Sequence, residues 1–352
     1  MQNDFYRVFS AYREGILRKK PPAVDESDGN QEASLVQRKL DFEQLASCAC
    51  LGLSSPGERL ASRVVAWTAR LGFMAAHAGE LVLAREHFTE SWKQWRELDE
   101  GLCRIRLVGI IEAYEAYLEY RLGCRSEARD RLERALDSAL LLEERYGLSL
   151  YELHRMQLGH NLVRVDWRFG FLEEAFSLAG ALVGYLEGRR RDLPFHRGWC
   201  NKRLLSCPIY LRKLMVAQIA GEAIDHLISH PESSYWDIFF GEARIGDETT
   251  NDLFSVDLRL WQWHQARRIL LQGDDRGYLQ ILREILLPGP RGLGTLYYAI
   301  IVDFAEFCAA DRSLPARKVL DLLLQDSLKW KNFPVILAKR LSEICHASSA
   351  TG

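Results

Sequence analysis

The chain has 352 residues, 48% of them hydrophobic and 27% charged, which is enough apolar side chain to fold and too much for a disordered chain. Its 46 Lys and Arg stand against 48 Asp and Glu, so a formal charge of −2 gives no global field that would select nucleic acid or an anionic membrane. Eight scattered cysteines exclude a small disulfide scaffold and fit a reducing compartment, with the cytoplasm as the expected location.

The first twenty residues lack the apolar run of a secretory signal and are expected to form a helix. The polar, aperiodic stretch from Lys19 to Ser34 reads as a flexible loop within an N-terminal segment 1–55. From Pro56 onward apolar residues recur at three-to-four spacing, and no alternating strand pattern stands between turn signals, so the class is all-α. The longest apolar runs, such as Thr295 to Val302, fall short of the ~20 residues a membrane-spanning helix needs.

Helix breaks fall at Ser54 to Gly57, Gly79, Gly123, Gly147, Gly170, Gly188, Pro208, Pro231, Gly273, Pro288 to Pro290 and Pro315. Three of them share one pattern, Gly followed five residues later by Ala: Gly79 and Ala84, Gly123 and Ala128, Gly170 and Ala175. Related breaks pair Gly273 with Tyr278 and Asp311 with Ala316. A glycine ends one helix in a left-handed conformation, and a small residue lets the next helix pack closely against it. Repetition of that pairing argues for stacked antiparallel helical hairpins, an α-solenoid, spanning 56–188 and resuming over 258–352.

The residues resemble the tetratricopeptide repeat family. Leu71 and Gly72, then Ala84, then Phe88 follow the family's Leu-Gly, small, aromatic order. Ala116, Ala128, Leu132 and Ala135 take the corresponding positions in the second copy, Ala175 and Ala179 in the third, and Ala266, Leu282 and Pro290 in the fourth. The resemblance departs from the family in a period above its ~34 residues and in a shifted or missing early Trp. It implies a concave wall built from the first helix of each hairpin. That wall would carry His77; Tyr117, Tyr120 and Arg121; Gln157, His160, Arg164, Trp167 and Arg168; and Trp263 and Arg267. Guanidinium groups pair bidentately with carboxylates and aromatic rings anchor interfaces, so the groove is expected to take an acidic protein or peptide segment. The alternative placement, with Trp167 and Trp263 in the core and the arginines on a solvated face, stays open, because helix-face assignment slips easily.

Between the hairpin groups, 189–257 reads as an irregular charged insertion and the place of a domain boundary. Arg189 to Lys213 holds eight Lys and Arg against Asp192 alone, and Glu242, Asp247, Glu248, Asp252 and Asp257 then reverse the sign. Arginines interleaved with Phe195 and Trp199 are a nucleic-acid signature, but the acidic stretch argues instead for internal neutralisation or a solvated loop. His196, Cys200 and Cys207 do not complete a zinc set, nor does the Cys48 and Cys50 pair, and the two Glu-x-x-His motifs of a di-iron site are not present. Gly289 to Thr295 is glycine-rich but lacks the phosphate-loop lysine, and Asp275 reads as a helix cap. No cofactor is called for. The rival to a non-catalytic scaffold or regulator is a helical enzyme, or an accessory subunit of one, with its pocket near 189–257.

Overall fold

The computed structural model describes residues 2–17, 49–230, 233–244, 255–289, 294–311, 313–330 and 333–350. Among them every regular element is helical and no strand occurs. Among the described residues no helix is long and apolar enough to cross a membrane. The expected loop 19–34 and Cys48 lie outside the described residues. The fold separates into two compact units, one of residues 27–216 and one of 1–26 with 217–352. The division after Val216 falls inside the stretch where the charge reverses.

The first unit contains α2 (Pro56–Ala78), α3 (Leu81–Arg96), α4 (Leu102–Leu122), α5 (Arg125–Tyr146), α6 (Leu150–Arg168), α7 (Leu172–Leu186) and the short α8 (Asn201–Ser206). Ser55 starts α2 with a capping box: its hydroxyl accepts from the Glu58 amide, and the Glu58 carboxylate accepts from the Ser55 amide. From α2 to α7 successive helices pack on one another, α2 also packs on α4, and the short α8 packs on α6. Val65, Ala69, Ala76, Phe88, Leu107, Ile111 and Leu118 form the core where α2, α3 and α4 meet. At α4 and α5 the buried Glu112 accepts from Arg131 and Arg134, and Glu115 from Arg131 and the Trp92 indole, so these internal carboxylates are paired.

Three turns of this unit share one geometry. Gly79, Gly123 and Gly170 have φ of +89°, +85° and +78°. In each, the following amide (Glu80, Cys124, Phe171) donates to a carbonyl five residues back, at 2.9, 2.9 and 3.0 Å. Together with the bond from the glycine amide to the carbonyl three residues back, this closes a Schellman turn. Ala84, Ala128 and Ala175, the small residues expected at the facing helix, are all fully buried.

The second unit takes α1 (Gln2–Leu17), part of α9 (Ile209–Ser229), α10 (Ser233–Ala243), α11 (Ser255–Leu271), α12 (Asp275–Leu286), α13 (Gly294–Ala310), α14 (Leu314–Ser327) and α15 (Val335–Ala350). Gly273 repeats the same turn at φ +82°, with the Asp274 amide bonded to Ile269, and Tyr278 and Ala316 are fully buried. The cap of α12 is Asp274, not Asp275: its carboxylate accepts from the Gly277 amide at 2.9 Å. α1, grouped by sequence with residues up to 55, packs instead on α12 and α14. Its apolar side (Phe5, Val8, Phe9, Tyr12) is buried, the Trp330 indole donates to the Tyr12 hydroxyl at 2.8 Å, and Arg13 forms a two-bond pair with Asp326.

The stretch 189–257, expected to be irregular throughout, is non-helical from Arg189 to Cys200 and then runs through α8, α9 and α10. Pro208 and the density of basic residues hide the apolar periodicity of Leu211, Met215, Ile219, Ala223 and Leu227, all of which are buried.

A candidate partner-binding face

The C-terminal ends of α2, α4 and α6 carry a ladder of rings. Phe73 packs on Tyr114 and Tyr117, with centroids 5.0 and 5.1 Å apart. His77 stacks on Tyr117 at 5.9 Å, Tyr117 on Tyr120 at 5.7 Å, and Tyr120 meets Phe169 edge-on at 6.5 Å. Residues 73 and 77, and 117 and 120, lie one helical turn apart, which is why the rings line up.

Two arginines lie on this ladder. Arg121 donates from Nη1 to the His77 carbonyl at 3.1 Å and to the Tyr117 hydroxyl at 3.3 Å, and lies over the Tyr117 ring. The Arg168 guanidinium lies 5.9 Å from the Tyr120 centroid. His77, Arg121 and Arg168 are exposed, and neither arginine has an ion pair among the described residues. Their charge is therefore held by rings and neutral oxygens, a setting in which a carboxylate from outside finds unspent donors.

Beyond Phe169 a surface depression of ≈ 430 Å³ is lined by Arg125, Ser126, Arg129, Asp130, Glu133, Phe169 and Phe171. Buried Asp166 holds both of its arginines: Arg125 donates to Oδ1 at 2.7 Å, and Arg129 pairs with Oδ2. The Arg125 guanidinium also stacks 3.4 Å from the Phe171 centroid.

Five of the eleven expected wall residues thus come together: His77, Tyr117, Tyr120, Arg121 and Arg168. Gln157 is half-buried beside His154, 3.5 Å from its Nδ1, and Arg164 donates to Asn161 at 3.1 Å. His160 and Trp167 are buried, Trp167 edge-on against Phe176. Trp263 and Arg267 lie in the other unit. Trp263 is fully buried, its indole donating to Asp303 at 2.8 Å, and Arg267 sits 3.5 Å from the same carboxylate and over the Trp236 ring. For His160, Trp167 and Trp263 burial corrects the expectation of an open wall: α6 is buried on most of its circumference, polar residues included, and Trp263 packs edge-on against Trp236 of α10. Sequence reasoning missed Phe73, Tyr114 and Phe169. Phe73 and Tyr114 stand one turn from His77 and Tyr117, and Phe169 follows Arg168, so spacing along the ladder was the available signal.

One arginine of the basic run, Arg203, pairs with carboxylates outside the acidic stretch. Arg203 donates to Glu152 at 3.2 Å and stands 3.3 Å from Glu143, two fully buried carboxylates of α6 and α5, while residues 245–254 of the acidic stretch lie outside the described residues. Arg155, also fully buried, bonds Glu143 at 3.2 Å and the Gly198 carbonyl at 3.1 Å, and contacts the Arg197 carbonyl. The Cys200 amide and the Tyr185 hydroxyl complete the shell of Glu152. Burial pushes the Glu143 carboxyl well up despite its arginines. His196 faces Asp137 at 3.1 Å, and among the described residues no group of three His, Cys, Asp or Glu side chains is placed to hold a metal ion.

Compared with protein-family models, with curated proteins and with solved structures, the chain matches none.

Proposed function

We propose that the chain is a non-catalytic helical-repeat protein of tetratricopeptide type, a scaffold or regulator that captures an acidic protein segment on the ring ladder of α2, α4 and α6. The observation that carries this reading is the pair Arg121 and Arg168, exposed, lying over tyrosine rings and without a carboxylate partner among the described residues. Tyr and Arg are the side chains in which interface energy concentrates, because they bury area at low entropic cost and pair with carboxylates as a fork. The shared left-handed Gly turns and the buried alanines that follow them support the repeat. A helical enzyme with its pocket in 189–257 draws less support, because the polar side chains around Arg155 are already committed to one another in ion pairs and hydrogen bonds.

The test is capture from the native cell by the tagged full chain, read by mass spectrometry. Arg121→Glu with Arg168→Glu should remove the acidic partner while helicity by circular dichroism stays unchanged. Undiminished capture of the same partner would overturn the assignment.

A further inference from the structure

α2 has two apolar faces. One, made of Ser62, Val65, Ala69, Gly72, Ala75 and Ala76, is buried against α3 and α4. The other carries Leu60, Val64, Trp67, Leu71 and Met74, spaced alternately four and three residues apart. That is the spacing of a coiled-coil seam, whose function is to receive the knobs of a facing helix. Among the described residues nothing covers it: Leu60, Val64, Trp67 and Met74 are 66, 50, 58 and 53% exposed. Isolated exposed leucines are ordinary, but a contiguous apolar row with a tryptophan at its centre has the composition of an interface core.

The charge beside the row selects the occupant. Arg63 and Arg70 stand seven residues apart along one flank, both exposed and neither with an ion pair among the described residues. The other flank is uncharged, with Ala61 and with Thr68 bonded to Gln94 at 3.0 Å. An antiparallel second copy would set Arg63 and Arg70 against themselves, and a parallel one would offer them only Ala61 and Thr68. A helix with glutamates beside its own apolar seam fits both the row and the flank. We infer that the outer face of α2 docks an acidic amphipathic helix of a partner protein, a surface distinct from the ring ladder and independent of its assignment.

The probe is a labelled synthetic helix about three heptads long, with leucine at the seam and glutamate at the flanks, titrated by fluorescence anisotropy against the full chain beside the same helix with lysine at the flanks. The glutamate helix should bind and the lysine helix should not. Trp67→Glu should abolish binding, and Arg63→Glu with Arg70→Glu should weaken the glutamate helix by about tenfold or more and favour the lysine helix, since like charges then face each other. Both variants alter exposed side chains only, and circular dichroism checks that each is folded. Arg121→Glu should leave this titration unchanged. Equal binding of the two helices, or binding insensitive to Trp67→Glu, would overturn the proposal. So would binding of neither, which means that the face is solvated or covered by the chain itself. Self-association of the full chain in sedimentation equilibrium, lost on Trp67→Glu, would assign the face to a second copy instead.

Discussion

The Arg155 guanidinium lies 3.9 Å from the centroid of the Trp199 ring, and the arginine is fully buried. It holds the non-helical stretch after α7 onto α6, because its two nitrogens reach the Arg197 and Gly198 carbonyls as well as Glu143. Arg155→Met removes that anchor and leaves Glu143 and Glu152 with Arg203 as their remaining cationic partner. Breaking a buried pair on one side costs about 3–5 kcal/mol, so the urea midpoint should fall by that equivalent with little change in slope. A loss below about 1 kcal/mol would mean that the network is dispensable.

Glu187 gives the chain a pH dependence with a defined sign. It is 2% exposed at the C-terminal end of α7, where the helix dipole disfavours negative charge, and Arg189 stands 3.4 Å away. Burial pushes its carboxyl from 4.5 up to about 7. The folded state therefore keeps a proton that the unfolded chain has released, and stability from this group is full below pH 4.5 and declines as pH rises to about 7. Asp225, raised by burial to about 6, acts in the same direction. His226, lowered by burial to about 4, acts oppositely: the fold holds it neutral, so stability rises with pH between 4 and 6.5. Glu187→Gln should be stabilising by about 2–3 kcal/mol at pH 8 and nearly neutral at pH 4.5, measured as urea midpoints at the two values.

Two glycines separate backbone strain from crowding. A Cβ at Gly123 would meet nothing within 4 Å, but the residue has φ +85°, so Gly123→Ala should cost about 1 kcal/mol through conformation alone. Gly72 sits inside α2, where a Cβ would stand 3.0 Å from two atoms of the Phe88 ring. Gly72→Ala should therefore cost about 1–3 kcal/mol through overpacking, and Gly72→Ala with Phe88→Leu should recover part of it. Thermal melts of the three variants check both statements.

Binding of an acidic peptide on the ring ladder should weaken with added salt, because Arg121 and Arg168 are exposed and screened within about 8 Å at physiological ionic strength. Tyr117→Phe removes the hydroxyl that Arg121 bonds and keeps the ring. It should lower affinity less than Tyr117→Ala, which loses both. Isothermal titration with a glutamate-rich peptide at low and high salt compares them, and equal affinity at both salts would exclude an electrostatic contribution.

The turns were legible in the sequence because glycine in the left-handed region has few substitutes, and because an alanine five residues on reports a close helix approach whatever surrounds it. The wall was half legible. His77, Tyr117 and Arg121 lie at the ends of helices, where one side is solvent and a small error of phase changes little. Trp167 and Trp263 lie on helices that mix polar and apolar residues round the circumference, so the sequence pattern does not say which neighbour an aromatic meets. Glu112, Glu115, Glu143 and Glu152 read as polar surface along the chain, and only the fold brings Arg131, Arg134, Arg155 and Arg203 to them.

Gly15 and Gly289 approach so closely that a Cβ on Gly15 would stand 3.0 Å from the Gly289 Cα and 2.7 Å from the Tyr297 hydroxyl, and closer still to the Leu286 carbonyl. These partners are separated by 273 residues of chain. At ribosomal speeds of about 5–20 residues per second, α1 waits roughly 14–55 s between its own synthesis and the appearance of Gly289. Throughout that interval Phe5, Val8, Phe9 and Tyr12 emerge without the helices that bury them. Residues 27–216 are thus all synthesised before the partners of α1 exist, so Gly15→Val should depress the yield of soluble protein during expression more than its effect on the purified fold explains.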